Sequence, residues 1–292
     1  GSNWSIPDDS SNSNTGTSSG MTAANLVQST LNITTPYSRY ALNFDGTNDY
    51  IDCGNDSSLN ITSTITLSAW VKPTTTITSQ NFPMFIAKGI NSDYMLFANS
   101  GTGTARLRLG SSFLIDSILT ISTNVWTHIV GTYDGSNLKI YLNGSLDNTV
   151  PQSGAIPSTS GSLQIAAANT GNKLNGQLSN VSIWNAALSS SQITELYGSA
   201  APTNLNNHSA YSNLVSWWQL GENSSFDGTN WTVLDEKGTN NGTSANMGED
   251  AIVNGVATTG NGLSSGMGGV NIAGEAPYST ANAVSYGMGV DA

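Results

Sequence analysis

The sequence predicts an all-β fold, a sandwich or barrel of antiparallel strands, on three observations. Short apolar runs alternating with polar residues recur from Tyr37 to Trp184. Turn residues, with Asp-Gly and Asn-Gly prominent among them, separate the runs at even spacing. A single stretch carries helical periodicity. Many short strands with turn signals between them and no long helical period require a two-layered or closed β structure to bury their apolar faces.

The elements follow in order. Residues 1–36 begin "GSNWSIPDDSSNSNTGTSSG", and after Trp4 and Ile6 almost nothing is apolar until Leu26 and Val27. Such a segment cannot offset its ordering entropy alone, so it reads as an extended arm. "RYALNFDGTNDYIDCG" alternates on either side of Asp45-Gly46-Thr47-Asn48, a strand–turn–strand signal. In "ITLSAWVKP", Ile65, Leu67, Ala69 and Val71 repeat at period two, and Pro73 ends the strand. "MFIAKG", "YMLFAN" and "ARLRLG" are three further short strands. "VWTHIVGTYDGSNLKIYLNGSL" places two strands around Asp134-Gly135, and Asn143-Gly144 supplies a tight turn. "SLQIAAAN" and "GQLSNVSIWNAAL" complete the run. The one helix is "SSSQITELYG", where Ser189 and Gln192 form a capping box, Ile193, Leu196 and Tyr197 the apolar face, and Gly198 the C-cap.

Composition bounds the partners. Charged residues are 9% of the chain, and 8 basic against 19 acidic residues give a net charge of −11. A phosphate backbone needs clustered Lys and Arg, and here they are scattered singly, which argues against nucleic acid. An anionic membrane surface is disfavoured on the same ground, and no apolar run approaches the roughly 18 residues that span a bilayer. A surface of hydroxyls and amides suits work outside a cell or on a particle. Cys53 is the only cysteine, so no intrachain disulfide is possible, and Ile51 and Gly54 beside it point to a buried small hydrophobe.

"YALNFDGTNDYIDCG", "ITLSAWVKP", "WTHIVGTYDGSNLKIYLNG" and "LNGQLSNVSIWNAALSSSQITELY" resemble the concanavalin A-like jelly-roll superfamily, its laminin G-like and pentraxin-like modules above all. The resemblance covers residues 37–198. It implies two antiparallel sheets with a small helix after "VSIWNAAL". In "NLVSWWQLGENSSF", residues 213–226, the paired tryptophans resemble the strand that returns to close such a sandwich. The following "VLDEKGTNNGTSANM" resembles the D-x-x-G-x-x-x-G-T stretch of tandem laminin G-like proteins. An isolated pair of strands would be marginal. We therefore expect one jelly roll over 37–246, closed near 213–220, with a separate small C-terminal domain as the alternative. Residues 247–292 read as a Gly-, Ala- and Asn-rich tail. The arm, the jelly roll and the "YSTANAVSYGMGV" tail together resemble structural proteins of tailed phages, marine ones in particular.

The chemistry expected is binding. Glycosidases of this superfamily carry a Glu-x-Asp-x-x-Glu strand, and the chain has no glutamate before Glu195, so it is read as a non-enzyme. Gly-x-Ser-x-Gly occurs at Gly16–Gly20 and Gly262–Gly266, both in Ser/Gly-rich extensions without a nucleophile elbow. His128 lies in a strand and reads as packed or hydrogen-bonded rather than as a base; no pair of His, Cys or carboxylate has zinc spacing. The resemblance implies one rim calcium of weak extracellular-type affinity, on Asp45 and Asp49 near Asn180, where relatives often carry Asp. The bland reading is that Asp45 and Asn48 only make Asx-turns. For sugar stacking the loop aromatics are Tyr50, Tyr94, Phe113 and Trp231, while Trp70, Trp126, Trp184, Trp217 and Trp218 are assigned to the core. The function expected is a lectin-like adhesion module of an extracellular or virion surface, binding a glycan or host surface. The alternative is a purely structural assembly subunit. Spaced anchors in the extensions (Trp4, Ile6, Tyr278, Val284, Tyr286) lead us to expect that they wrap a neighbouring copy or a particle surface in a homo-oligomer, with folding back onto their own sandwich as the alternative.

Overall fold

The computed structural model describes residues 5–6, 16–17, 38–89, 92–168 and 172–256 of the 292-residue chain. The chain divides into two units, Gly1–Thr34 and Thr35–Ala292. In the first, β1 (Ser5–Ile6) and β2 (Gly16–Thr17) pair antiparallel. The rest of the expected arm, and the tail from residue 257 with its anchors, lie outside the described residues.

The second unit runs β3 (Tyr40–Asp45), β4 (Tyr50–Asp52), β5 (Ile65–Pro73), β6 (Met84–Lys88), β7 (Tyr94–Asn99), β8 (Thr104–Leu109), β9 (Phe113–Thr120), β10 (Thr127–Tyr133), β11 (Asn137–Leu142), β12 (Ser145–Pro151), β13 (Leu163–Ile165) and β14 (Asn175–Trp184). Helix α1 (Ser190–Tyr197) follows, then β15 (Leu214–Trp218), β16 (Ser225–Phe226), β17 (Trp231–Val233), β18 (Gly242–Ala245) and β19 (Ile252–Asn254). The strands form two antiparallel sheets. One is ordered β12-β11-β10-β5-β14-β3-β19, with β15 also beside β14; the other is β16-β17-β18-β4-β13-β6-β7-β8-β9. Of the sandwich or barrel that the strand pattern predicts, the sandwich is present, in the jelly-roll-like form that the resemblance implies.

Strand alternation builds the core. Leu67, Ala69 and Val71 of β5 point inward and join Leu96, Leu107 and Ile165 of the opposite sheet in one buried cluster. Ser68 and Trp70 face the other way. That outer face is covered by α1 and the chain around it, where Val130, Tyr141, Trp184, Ile193, Leu196 and Trp217 form a second cluster. The capping box of α1 is present as read, with Ser189 accepting from the Gln192 amide and the Gln192 side chain accepting from the Ser189 amide. Asn143 and Gly144 both have positive φ, as the tight turn between β11 and β12 requires.

The paired tryptophans close this sandwich rather than start a new domain. Trp218 lies opposite Val181 and Leu214 opposite Trp184 on β14. One edge of β14 therefore serves two strands, β3 along residues 175–178 and β15 along 181–184. The change of partner falls on Asn180, whose φ of 48° places it in the left-handed region beside a register shift. Its amide Nδ2 donates to Ser38 and Ser179, and its Oδ1 accepts from the Trp217 indole at 3.2 Å. Glu222 clamps the same junction by accepting from the Arg39 and Tyr40 amides and the Ser38 hydroxyl. Burial lifts the Glu222 carboxyl above its ordinary range despite those bonds.

The D-x-x-G-x-x-x-G-T stretch latches β15 in place. Asp235 accepts from the amides of Trp217, Lys237 and Asn240, and the Asn240 carbonyl accepts from the Trp218 indole at 2.7 Å. Gly242 is needed for close approach, since a Cβ there would lie 2.3 Å from Ile51 Cγ2.

One expectation is corrected. The sandwich does not end at 246, because β19 adds an edge strand with Ile252 opposite Leu42 and Asn254 opposite Tyr40. The strands β9 and β12, which were not read from the sequence, form the outer edges of the two sheets. Cys53 is buried as expected, and burial pushes its thiol well above the ordinary range.

Replacing Asn180 by Ala removes the acceptor of the Trp217 indole bond and forces a Cβ-bearing residue without a compensating amide into left-handed backbone. Urea unfolding should show a loss of about 2–4 kcal/mol for Asn180→Ala. Asn180→Gly, which relieves only the backbone cost, should lose roughly 1 kcal/mol less. Equal, near-zero losses would contradict the role given to this side chain.

Candidate functional site

A cleft of about 440 Å³ opens at the end of the sandwich where β3 turns into β4. Three loops line it. Gly46 and Thr47 come from the β3–β4 turn, Thr75, Ser79, Gln80 and Asn81 from the loop after β5, and Asn172, Lys173 and Asn175 from the approach to β14. Its walls are hydroxyls and amides with one ammonium group.

Asn175 holds the three loops together. Its backbone amide donates to Gln80 Oε1 at 2.8 Å, its Nδ2 donates to the Asp45 carbonyl at 3.1 Å, and its Oδ1 accepts from the Thr74 hydroxyl. Asn81 Nδ2 donates to Asn172 Oδ1 across the cleft wall. Gly46, at φ 77°, lies so close that a Cβ on it would be 2.7 Å from Asn175 Cβ. The cleft is therefore shaped by hydrogen bonds made before any ligand arrives.

Asp45, Asp49 and Tyr50 do not line this cleft but neighbour its Gly46, Thr47 and Lys173. Asp45 Oδ1 accepts from the amides of Thr47 and Asn48, while Asp49 Oδ2 accepts from the Asp45 amide. Burial lifts both carboxyls, but at Asp45 the amides of Thr47 and Asn48 outweigh it and leave that group below its ordinary value. At Asp49 burial prevails and the Asp45 charge adds to it. The Lys173 ammonium sits 4.1 Å from the Tyr50 ring centroid, within electrostatic reach of both carboxylates. Burial draws the Lys173 ammonium below its ordinary range.

The structure does not bring Asn180 together with Asp45 and Asp49. Asn175, not Asn180, lies opposite Asp45. Asn180 is five residues farther along β14, roughly 16 Å away at the rise of an extended strand. Its amide is spent on Ser38, Ser179 and Trp217. Among the described residues no three His, Cys, Asp or Glu side chains group as metal ligands. Asp45 Oδ1 and Asp49 Oδ2 hold turn amides, and the Lys173 ammonium lies within electrostatic reach of both carboxylates.

The four aromatics expected to stack on sugar separate in the same way. Tyr94 is buried and its hydroxyl donates to the Leu59 carbonyl. Trp231 is buried, with its indole donating to the Gly248 carbonyl and its ring against Phe226. Phe113 packs on the core beside Tyr133. Only Tyr50, half-buried, remains beside the cleft. Of the tryptophans assigned to the core, Trp70, Trp184, Trp217 and Trp218 are buried, but Trp126 is only partly so. It lies toward the cleft end of the sheet, since Asn124 donates to the Pro73 carbonyl and Thr127 lies opposite Val71. His128 is packed, as read, with Nε2 2.9 Å from the Ser68 hydroxyl and its ring against Trp70.

Residues 45–194, just over half of the chain, match the family profile described as the concanavalin A-like lectin/glucanases superfamily. The chain belongs to this superfamily. A candidate carbohydrate binding protein from Bacteroides ovatus superposes on it with a TM-score of 0.55 at 18% identity, over 70% of this chain and 58% of that one. The chain thus spans under two thirds of that protein's length. A SAP-like pentraxin from Limulus polyphemus gives a TM-score of 0.43 at 17% identity, covering 55% of this chain and 82% of its own. Domain 4 of an extracellular arabinanase from Geobacillus stearothermophilus, solved with arabinotriose, gives 0.45 at 21% identity, covering 54% and 76%. No curated protein matches the chain. At these identities the similarities concern the fold. Within this concanavalin A-like chain, the family-matched segment contains no glutamate.

Two outcomes follow. Thermal unfolding should be the same in millimolar calcium and in chelator, because a ligand of the native state alone would raise the melting temperature; a rise of several degrees would show that other oxygens complete a site. Burial lowers the His128 pKa to about 3. The unfolded chain therefore takes up a proton near pH 6.5 that the native state refuses. Stability should fall by about 1.4 kcal/mol per pH unit as pH drops from roughly 6 toward 3. Comparison of urea midpoints should show this slope reduced in His128→Gln; an unchanged slope would assign the acid sensitivity to other groups.

Proposed function

We propose that this chain is a non-enzymatic carbohydrate-binding module that holds a glycan in the cleft around Asn175, on an extracellular or virion surface. The observation that carries this reading is the preorganised wall of amides and hydroxyls beside Tyr50. Sugars are recognised by fixed donors and acceptors on their hydroxyls together with an aromatic face under the ring. Groups already held in place lose less entropy on binding. Membership of a superfamily that includes lectins supports the reading. So does the absence of glutamate from the matched segment, since the superfamily's usual hydrolytic pair is built on glutamates.

The roles are specific. Asn175 positions the loops, Gln80, Asn81 and Asn172 offer amides, Thr47, Thr75 and Ser79 offer hydroxyls, and Tyr50 holds the Lys173 ammonium over its ring beside them. With Asp45 and Asp49 beside a single ammonium, the rim favours uncharged sugars. The finer reading, a tailed-phage virion protein, rests on the resemblance of the extensions to such proteins.

The test is a glycan array with the full chain, followed by calorimetry on the glycans retained. Tyr50→Ala and Asn175→Ala should each weaken binding at least about tenfold, equivalent to about 1.4 kcal/mol, while unfolding stays cooperative. Silence across plant, bacterial and algal glycans would favour the assembly-subunit reading instead. Binding unaffected by both substitutions would move the site elsewhere.

A further inference from the structure

Beside the cleft, the outer face of the same sheet carries a row of side chains that the fold leaves unused. Val71, Leu178, Leu42 and Phe44 belong to the core. By strand alternation Lys72 on β5, Gln177 on β14 and Asn43 on β3 therefore point outward. Lys72 lies opposite Gln177, and Gln177 opposite Asn43. Thr127 lies opposite Val71, so Trp126, one residue earlier, falls beside Lys72 and completes the row. All four residues are partly exposed. They span three inter-strand spacings of about 4.8 Å, roughly 14 Å in all.

None of the four side chains has a hydrogen bond, ion pair or ring contact among the described residues. Gln177 makes the point most sharply, because its Oε1 is buried and accepts nothing. A buried acceptor without a donor is costly and rare in a native structure. On the same strand Asn175 and Asn180 each use both ends of their amides. Two residues along the strands in the other direction, Trp70 and His128 are stacked against Tyr197 of α1. The helix thus covers that row, while the row of Lys72 remains between the helix and the cleft.

We propose that this row is a second subsite, which takes an acidic sugar unit of the glycan whose neutral part lies in the cleft. The inference rests on the cleft reading above and adds a substrate class to it. Gln177 Oε1 calls for a donor, which a sugar hydroxyl supplies. Trp126 offers an aromatic surface and an indole N–H. Lys72 brings an ammonium without a carboxylate partner, in a row that holds no acid, on a chain of net charge −11. A carboxylate or sulfate on the sugar complements it. An added peptide strand has no place here, because β5 and β14 are paired on both sides. Continuity with the cleft is direct: Gln177 is two residues from Asn175, about 7 Å at the rise of a strand.

Nuclear magnetic resonance titration of the full, nitrogen-15-labelled chain tests this. The probes are oligomers of galacturonate, mannuronate and sulfated galactose, each beside its methyl-esterified or desulfated counterpart. The Trp126 indole and Gln177 amide signals read the row, and the Asn175 amide reads the cleft. Signals are assigned by their loss in Trp126→Phe, Gln177→Leu and Asn175→Ala. At least one acidic oligomer should move all three and bind at least about tenfold tighter than its neutral counterpart. Lys72→Met should abolish that preference while leaving the neutral affinity unchanged, and Lys72→Arg should retain most of it. Movement of Asn175 alone overturns the row and leaves the cleft reading standing. Movement of Trp126 and Gln177 without Asn175 overturns the cleft reading and the joint site with it. Silence at all three positions, or a preference that survives Lys72→Met, also overturns the proposal.

Discussion

At Asn180 the backbone of β14 bulges into the left-handed region and one strand edge passes from β3 to β15. Most of the sandwich depends on that exchange. A strand can present only one row of donors and acceptors on each side, so two partners on one side must meet end to end. Their meeting point would leave polar groups buried without partners. Asn fills the point because its short amide tolerates positive φ and carries both a donor and an acceptor. Here the donor serves two serine hydroxyls and the acceptor serves an indole. Ser38 and Glu222 complete the network and fasten the start of β3 to the chain leaving β15.

The same strand positions the cleft. Asn180 closes the sandwich at one point of β14, and Asn175 gathers three loops at its beginning. The outer face of that sheet is covered by α1 and the chain around it. The rim thus remains as a concave, polar place built on rigid strands. A chain poor in charge can still build such a place, because amides and hydroxyls supply direction without the desolvation cost of ions. The low charge content, the junction and the cleft share this chemistry.

Much of the fold was legible because local pattern and tertiary role coincide. The period-two runs of β5, β10 and β11 and the capping box of α1 read directly. β9 and β12 did not. "FLIDSILT" turns Phe113, Ile115 and Ser117 inward but ends with Ile118 and Leu119 side by side and exposed, and "SLDNTVP" reads as polar, so neither edge strand keeps an apolar alternation along its length. At the site, the Asp45–Asp49 turn and Tyr50 were found because the turn chemistry is local. Asn180 was grouped with Asp45 and Asp49 from the resemblance, whereas its partners here are the long-range Ser38 and Trp217 and the adjacent Ser179. Lys173 and Asn175 gave no sequence signal, their importance arising from residues some ninety to one hundred and thirty positions away. Tyr94 and Trp231 looked like loop aromatics beside turn residues, yet both rings turn into the core.

The central claim is that β15 and its latch belong to one cooperative sandwich through the Asn180 junction. Native-state hydrogen exchange at low denaturant measures this directly, because each amide reports the free energy of the opening that exposes it. The amides of Trp217 and Trp218 are expected to exchange only through global unfolding, at the same free energy as those of Val181 and Leu67. A separate, lower-energy opening that releases residues 214–245 together, while β5 and β14 stay protected, would contradict the account.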